Sequence, residues 1–149
     1  MRRALILLTV PLVCVAFAAA GWAADASITG VWSMPILKGK DKGKERLQVE
    51  IFEKGGAYYG KIVKLAPGVP ADAVCTTCKK DRKNKPLMGM LVLWDLKKEA
   101  GRYVDGAVYD VDEGKDYRCT ATVASQDKLK ITACILSIIC ESHYWTRVQ

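Results

Sequence analysis

Gly30-Val31-Trp32 near one end of the chain and Trp145-Thr146-Arg147 near the other bracket a run of short segments with strand character. That bracket predicts a small closed barrel whose first and last strands meet. A barrel of about eight strands either fills its interior with side chains or keeps room for one small ligand, so the architecture narrows the question of function before any motif is read.

Working inward from the bracket, the sequence offers eight strands: 28–34, 46–53, 57–65, 89–96, 102–109, 115–123, 128–134 and 142–148. Leu47, Val49 and Ile51 alternate with Gln48, Glu50 and Phe52, the period of a half-buried strand. Lys54-Gly55-Gly56, Glu99-Ala100-Gly101, Asp112-Glu113-Gly114 and Ser125-Gln126-Asp127 place glycine or turn-forming polar residues between neighbouring runs. Such short reversals make hairpins, hence antiparallel neighbours. The fold class expected is therefore all-β, a single antiparallel up-and-down barrel of about eight strands.

The first residues read as an address. Arg2 and Arg3 precede an almost wholly apolar stretch from Ala4 to Phe17, and small residues follow from Ala18. This is the layout of a secretory signal peptide, taken as residues 1–24 with cleavage between 20 and 26, leaving 25–149 as one domain. Pro11 interrupts the apolar stretch, and it is shorter than the roughly 18 residues a spanning helix needs, so the mature protein is expected to have no transmembrane anchor. The expected location is periplasmic or secreted. Without Arg2 and Arg3 the formal net charge of +7 falls to +5, since no acidic residue precedes Asp25.

Two connections are long. Lys38 to Arg46 is rich in lysine and glycine and reads as mobile and solvated. Ala66 to Met88 holds three prolines, Cys75-Thr76-Thr77-Cys78 and a basic run from Lys79 to Lys85. Loops of that length are often functional. The run lacks the interleaved aromatics that stack bases, and a secreted protein does not meet nucleic acid, so an anionic envelope surface is the partner its charge suits.

In an oxidising compartment cysteines tend to pair. With Ala124 to Lys128 as a turn, Val123 faces Leu129, Ala121 faces Ile131 and Cys119 faces Ala133, which gathers the apolar residues on one side. Cys119 then points inward as a buried thiol. Cys134, one residue out of phase, is placed to bond Cys140 across the short connection. Cys75 and Cys78 lack the helix that activates a redox pair and the further ligands that complete a zinc site, so a disulfide pinning the long loop is expected, with no metal and no cofactor.

Gly30-Val31-Trp32, Tyr58-Tyr59-Gly60-Lys61-Ile62, Cys75-Thr76-Thr77-Cys78, Pro86-Leu87-Met88-Gly89, Gly106-Ala107-Val108-Tyr109, Gly114-Lys115-Asp116-Tyr117, Lys128-Leu129-Lys130 and Tyr144-Trp145-Thr146-Arg147 occur in an order that resembles a secreted bacterial family, the domain of unknown function (DUF) family 2147. The resemblance covers nearly the whole mature chain and implies a lipocalin-like, calycin-type barrel. In calycins the C-terminal arginine packs over the tryptophan of the opening motif, which here implies barrel closure by Trp32 and Arg147. A guanidinium over an indole gains roughly 0.5 to 2 kcal/mol while its donors reach nearby carbonyls.

No nucleophile motif or positioned acid surrounds His143, so it reads as inert and the protein as a non-enzyme. Tyrosines on strands combine a ring with one hydroxyl, the mixture that lines pockets for amphipathic ligands. Strand phase selects Tyr59, Tyr103 and Tyr117 as ligand-binding candidates, with a filled core or the outer face as the alternative for each. The function expected is binding or carriage of a small hydrophobic or amphipathic ligand; the alternative is an envelope interaction module whose basic loops touch anionic lipid or cell-wall polymer.

Overall fold

Tight reversals at Gly55-Gly56, Ala100-Gly101 and Gln126-Asp127 return the chain on itself within two residues each time, so successive strands have no choice but to pair as neighbours. The computed structural model describes residues 27–136 and 138–148; the leader expected at 1–24, with its cleavage between 20 and 26, lies outside the described residues. The strands are β1 (Gly30–Pro35), β2 (Glu45–Lys54), β3 (Ala57–Leu65), β4 (Leu91–Glu99), β5 (Arg102–Asp110), β6 (Lys115–Ser125), β7 (Lys128–Ile135) and β8 (Ile139–Arg147). Each pairs antiparallel with the next, and β1 pairs with β8 through Trp32 and Arg147, closing an eight-stranded barrel without edges. The bracket read from the sequence is this seam.

Strand phase is interrupted by bulges that decide which side chains face inward. On β2, Leu47, Val49 and Ile51 are buried at alternate positions. Opposite them the partners run Leu65, Ile62 and Gly60, so Val63 is an extra residue and the inward set on β3 becomes Tyr58, Gly60, Ile62 and Leu65. On β5 a register shift between Tyr103 and Gly106, with Asp105 at φ 58°, brings both of those residues inward. β8 begins at Ile139, three residues earlier than the sequence pattern placed it. Ile135 pairs with Ile139 and Cys134 with Cys140, so the β7–β8 ladder continues to the tip of its hairpin.

Alternation of strand direction puts the three tight turns and residues 27–29 at one end, and the connections 36–44, 66–90, 111–114 and 136–138 at the other. The first end is closed. Trp32, Leu96, Tyr103, Ala121 and Leu129, all buried, belong to the hydrophobic core and fill this end of the barrel, and Arg147 covers the Trp32 ring from outside. The other end is the mouth. The connection 36–44 is held as a turn by Ile36 N–H to Lys44 O at 2.8 Å and Gly43 N–H to Ile36 O at 2.9 Å, leaving Arg46 within β2 and outside the loop.

Candidate functional site

Toward the mouth the barrel stops being full. A cavity of about 390 Å³ opens there, bounded by β1, β5, β7 and β8 near the mouth, the first residues of β2 and β6, and the connections after β1 and β5. Its size is at the low end of the range of small-molecule pockets. The apolar surface comes from residues one strand phase apart. Ile131 and Ala133 on β7 stand opposite His143 and Glu141 on β8, and Trp145, next inward on β8, is only 2% exposed and shares the cavity wall with Met34 and Val108.

The rim is polar, and its two cations are each paired with a carboxylate. Arg46 projects from β2 to Asp112, donating from Nε to Oδ2 at 3.2 Å and from Nη2 to Oδ1. This hydrogen bonding raises the arginine further above its ordinary value. The 111–114 turn presents Asp112 and Glu113 to these partners because the Asp110 carboxylate accepts their N–H groups, at 2.8 Å and 3.1 Å, and fixes the turn from within. Tyr117 donates its hydroxyl to Glu113, and Lys38 lies 3.5 Å from the same carboxylate. The Tyr117 hydrogen bond holds Glu113 below the ordinary carboxylate value and pushes the phenol up to about 12. His143 Nε2 faces Glu141 Oε2 at 3.7 Å. The result is an apolar well with hydrogen-bonding groups at its lip.

The long connection covers the other part of the mouth. Its Cys75–Cys78 disulfide is buried, with both cysteines no more than 3% exposed. Thr77 Oγ1 donates to Val111 O, Lys79 N–H donates to the Tyr109 hydroxyl at 3.2 Å, and the Arg82 guanidinium lies 4.7 Å from the Trp94 ring and 4.5 Å from the Tyr109 ring. Gly114 takes φ +63°, and any Cβ there would run into the Thr77 carbonyl. The loop is thus docked against β4, β5 and the 111–114 turn, and it holds the disulfide that the sequence expected.

The residues singled out from the sequence separate. Tyr117 is at the rim of the cavity. Tyr59 is not: its ring stacks on Phe52 at 6.0 Å and its hydroxyl donates to Asp95 at 3.0 Å, on the outer face, because the bulge at Val63 turns Tyr58 inward in its place. Tyr103 points inward but lies in the filled part of the core, 1% exposed, edge-on to Tyr58 at 4.9 Å, with its hydroxyl accepting Ile28 N–H at 3.3 Å. Trp32 and Arg147 meet at the closed end, and Cys134 is bonded to Cys140 at the mouth. Sequence reasoning missed Arg46, which it placed where the solvated loop meets the second strand and gave no role, and Trp145 as a cavity wall. The signal for Trp145 was its shared phase with His143 on the last strand.

A family model described as an uncharacterized protein conserved in bacteria (DUF2147) matches residues 30–147. A solved structure from the human pathogen Helicobacter pylori, described as belonging to the lipocalin family, is similar in fold, with a TM-score of 0.70 and 22% sequence identity over 83% of this chain and 84% of that one. None of the curated proteins matches the sequence.

Proposed function

The chain belongs to the DUF2147 family of bacterial proteins, and from that premise we propose that it binds or carries a small hydrophobic or amphipathic molecule in the periplasm, without a catalytic step. The observation that carries this reading is the partly filled barrel: a well of about 390 Å³ whose walls are mostly apolar, with His143 level with Ile131, and whose lip holds Arg46, Asp112, Glu113 and Tyr117. An apolar chain or ring gains by leaving water for the walls of Ile131, Ala133 and Trp145. A polar end meets donors and acceptors at the lip, so the ligand enters tail first.

The rim pairs argue for binding over chemistry. Arg46 and Tyr117 are engaged with Asp112 and Glu113, which fixes the polar groups that a ligand's head would meet. Secretion by the leader at 1–24 is part of the proposal, because it would place the well where lipid-derived molecules need a carrier.

Native mass spectrometry of protein recovered from the periplasmic fraction tests both parts together. The expected result is a processed chain with a retained small molecule, or one that takes up a medium-chain fatty acid or related amphiphile at one per barrel. A cytoplasmic, unprocessed chain would overturn the location, and refusal of a broad panel of apolar and amphipathic compounds would overturn the binding role.

A further inference from the structure

The β7–β8 hairpin ends in an apolar tip that water does not favour. Ile135, Leu136, Ile138 and Ile139 are 49%, 85%, 83% and 71% exposed. The tip is also stiff. Cys134 and Cys140 are bonded across the hairpin just below it, Ile135 pairs with Ile139, and Leu136 is held at φ 51°, a left-handed conformation that a leucine adopts only at a cost. A preformed wedge of large apolar side chains loses little freedom when it inserts into another apolar medium.

The surroundings of the wedge say what that medium is. A groove of about 900 Å³ beside Ile135 and Leu136 is lined by Lys79, Lys80, Arg82, Lys115 and Arg118, which outnumber the Asp81 and Asp116 among them. The mouth connections carry four lysines against Asp41 between 36 and 44 and five basic residues against Asp81 between 79 and 85. Val74 and Met88, also exposed, belong to the same end of the barrel. An apolar wedge within a basic collar matches a bilayer that carries anionic lipid: the side chains enter the acyl boundary while the lysines meet headgroup phosphates. A cell-wall polymer has no apolar interior for Leu136 and Ile138, and a second copy of this basic chain would bring collar against collar.

We infer that the mouth of the barrel docks on anionic membrane surfaces through the β7–β8 tip. Ile135 and Ile139 line the cavity as well as the tip, so the docked orientation opens the well toward the bilayer. The inference concerns the outer surface of the mouth and holds for an empty barrel as well as a loaded one.

The test is co-sedimentation with phosphatidylcholine vesicles with and without phosphatidylglycerol, at low and high salt. The wild-type protein should bind the anionic vesicles, weakly at high salt, and Leu136→Glu and Ile138→Glu should each lower binding about tenfold or more with an unchanged circular dichroism spectrum. Lys79→Glu with Lys80→Glu should weaken it at low salt and matter little at high salt. Leu136→Trp should show emission quenched by brominated acyl chains. Equal binding by Leu136→Glu, indifference to phosphatidylglycerol, or an unquenched Leu136→Trp would each overturn the inference. So would dimerisation lost in Leu136→Glu without any vesicle binding, which would make the tip a contact between copies.

Discussion

The guanidinium of Arg147 lies 4.0 Å from the centre of the Trp32 ring, on the strand pair that closes the barrel. Its donors reach Thr29 O at 2.8 Å, Ser27 O at 2.9 Å and Gln126 O at 2.8 Å, while Trp32 Nε1 donates to Ile28 O at 2.8 Å. One side chain therefore ties the start of the barrel, its last strand and the β6–β7 turn together. Trp32→Ala is expected to cost about 3 to 5 kcal/mol in urea unfolding, the range for deleting a large buried aromatic, and Arg147→Ala less. The double variant should fall short of the sum by about 0.5 kcal/mol or more, since each single change already removes the shared contact. Strict additivity would show that the stack contributes nothing.

Cys119 gives a pH-dependent prediction with a definite sign. Burial pushes its thiol from an ordinary 9.0 up to about 12. Between those values the unfolded chain releases the proton and the folded chain keeps it. The contribution of this group is whole below about pH 9 and is lost as pH rises toward 12, at roughly 1.4 kcal/mol per unit. At pH 8 the native thiol should ignore an aromatic disulfide reagent and react only on denaturation, a signal identified by its loss in Cys119→Ala. Rapid native reaction would place the thiol at the surface.

Gly106 is required by a close approach. A Cβ at this position would lie 2.5 Å from Leu96 Cγ and 3.1 Å from the Trp94 carbonyl oxygen. Both neighbours belong to the β4–β5 ladder and Leu96 is wholly buried, so neither gives way freely. Gly106→Ala should destabilise by about 1 to 3 kcal/mol, the usual cost of overpacking a core. Thermal unfolding reads it, and an unshifted midpoint would mean that β5 can slide past Leu96.

The seam, the hairpins and the inward phase of Cys119 were legible because each depends on local spacing: turn residues fix register, and register fixes the face. The β6–β7 pairs Val123 with Leu129, Ala121 with Ile131 and Cys119 with Ala133 follow from that alone. Tyr59 was misplaced because a bulge at Val63 resets the phase without leaving a glycine or proline to announce it. Tyr103 was given its correct side but not its correct depth. Depth depends on shear and on Tyr58 packing edge-on from another strand, and neither is written near residue 103. Arg46 escaped notice because its partner, Asp112, is far along the chain and only closure brings the two together.

The well itself can be tested by filling it. Ala133 lies on the cavity wall between Cys119 on β6 and Glu141 on β8, with open space in front of its methyl group. Ala133→Phe directs a ring into that space, where it displaces ligand instead of clashing with a packed neighbour. Its stability should change by less than about 1.5 kcal/mol, as for a core change that the available volume accommodates. Uptake of amphiphile, followed by native mass spectrometry or by Trp145 fluorescence, should fall at least about tenfold, because the apolar contact area that holds the tail is taken. Thr132→Phe is the matching control: Thr132 points to the opposite face, where its hydroxyl meets Ser142 at 2.9 Å, so the ring adds bulk outside the barrel and uptake should stay as in the wild type. Equal loss in both variants would trace the effect to general damage. Undiminished uptake by Ala133→Phe would place the ligand elsewhere on the molecule.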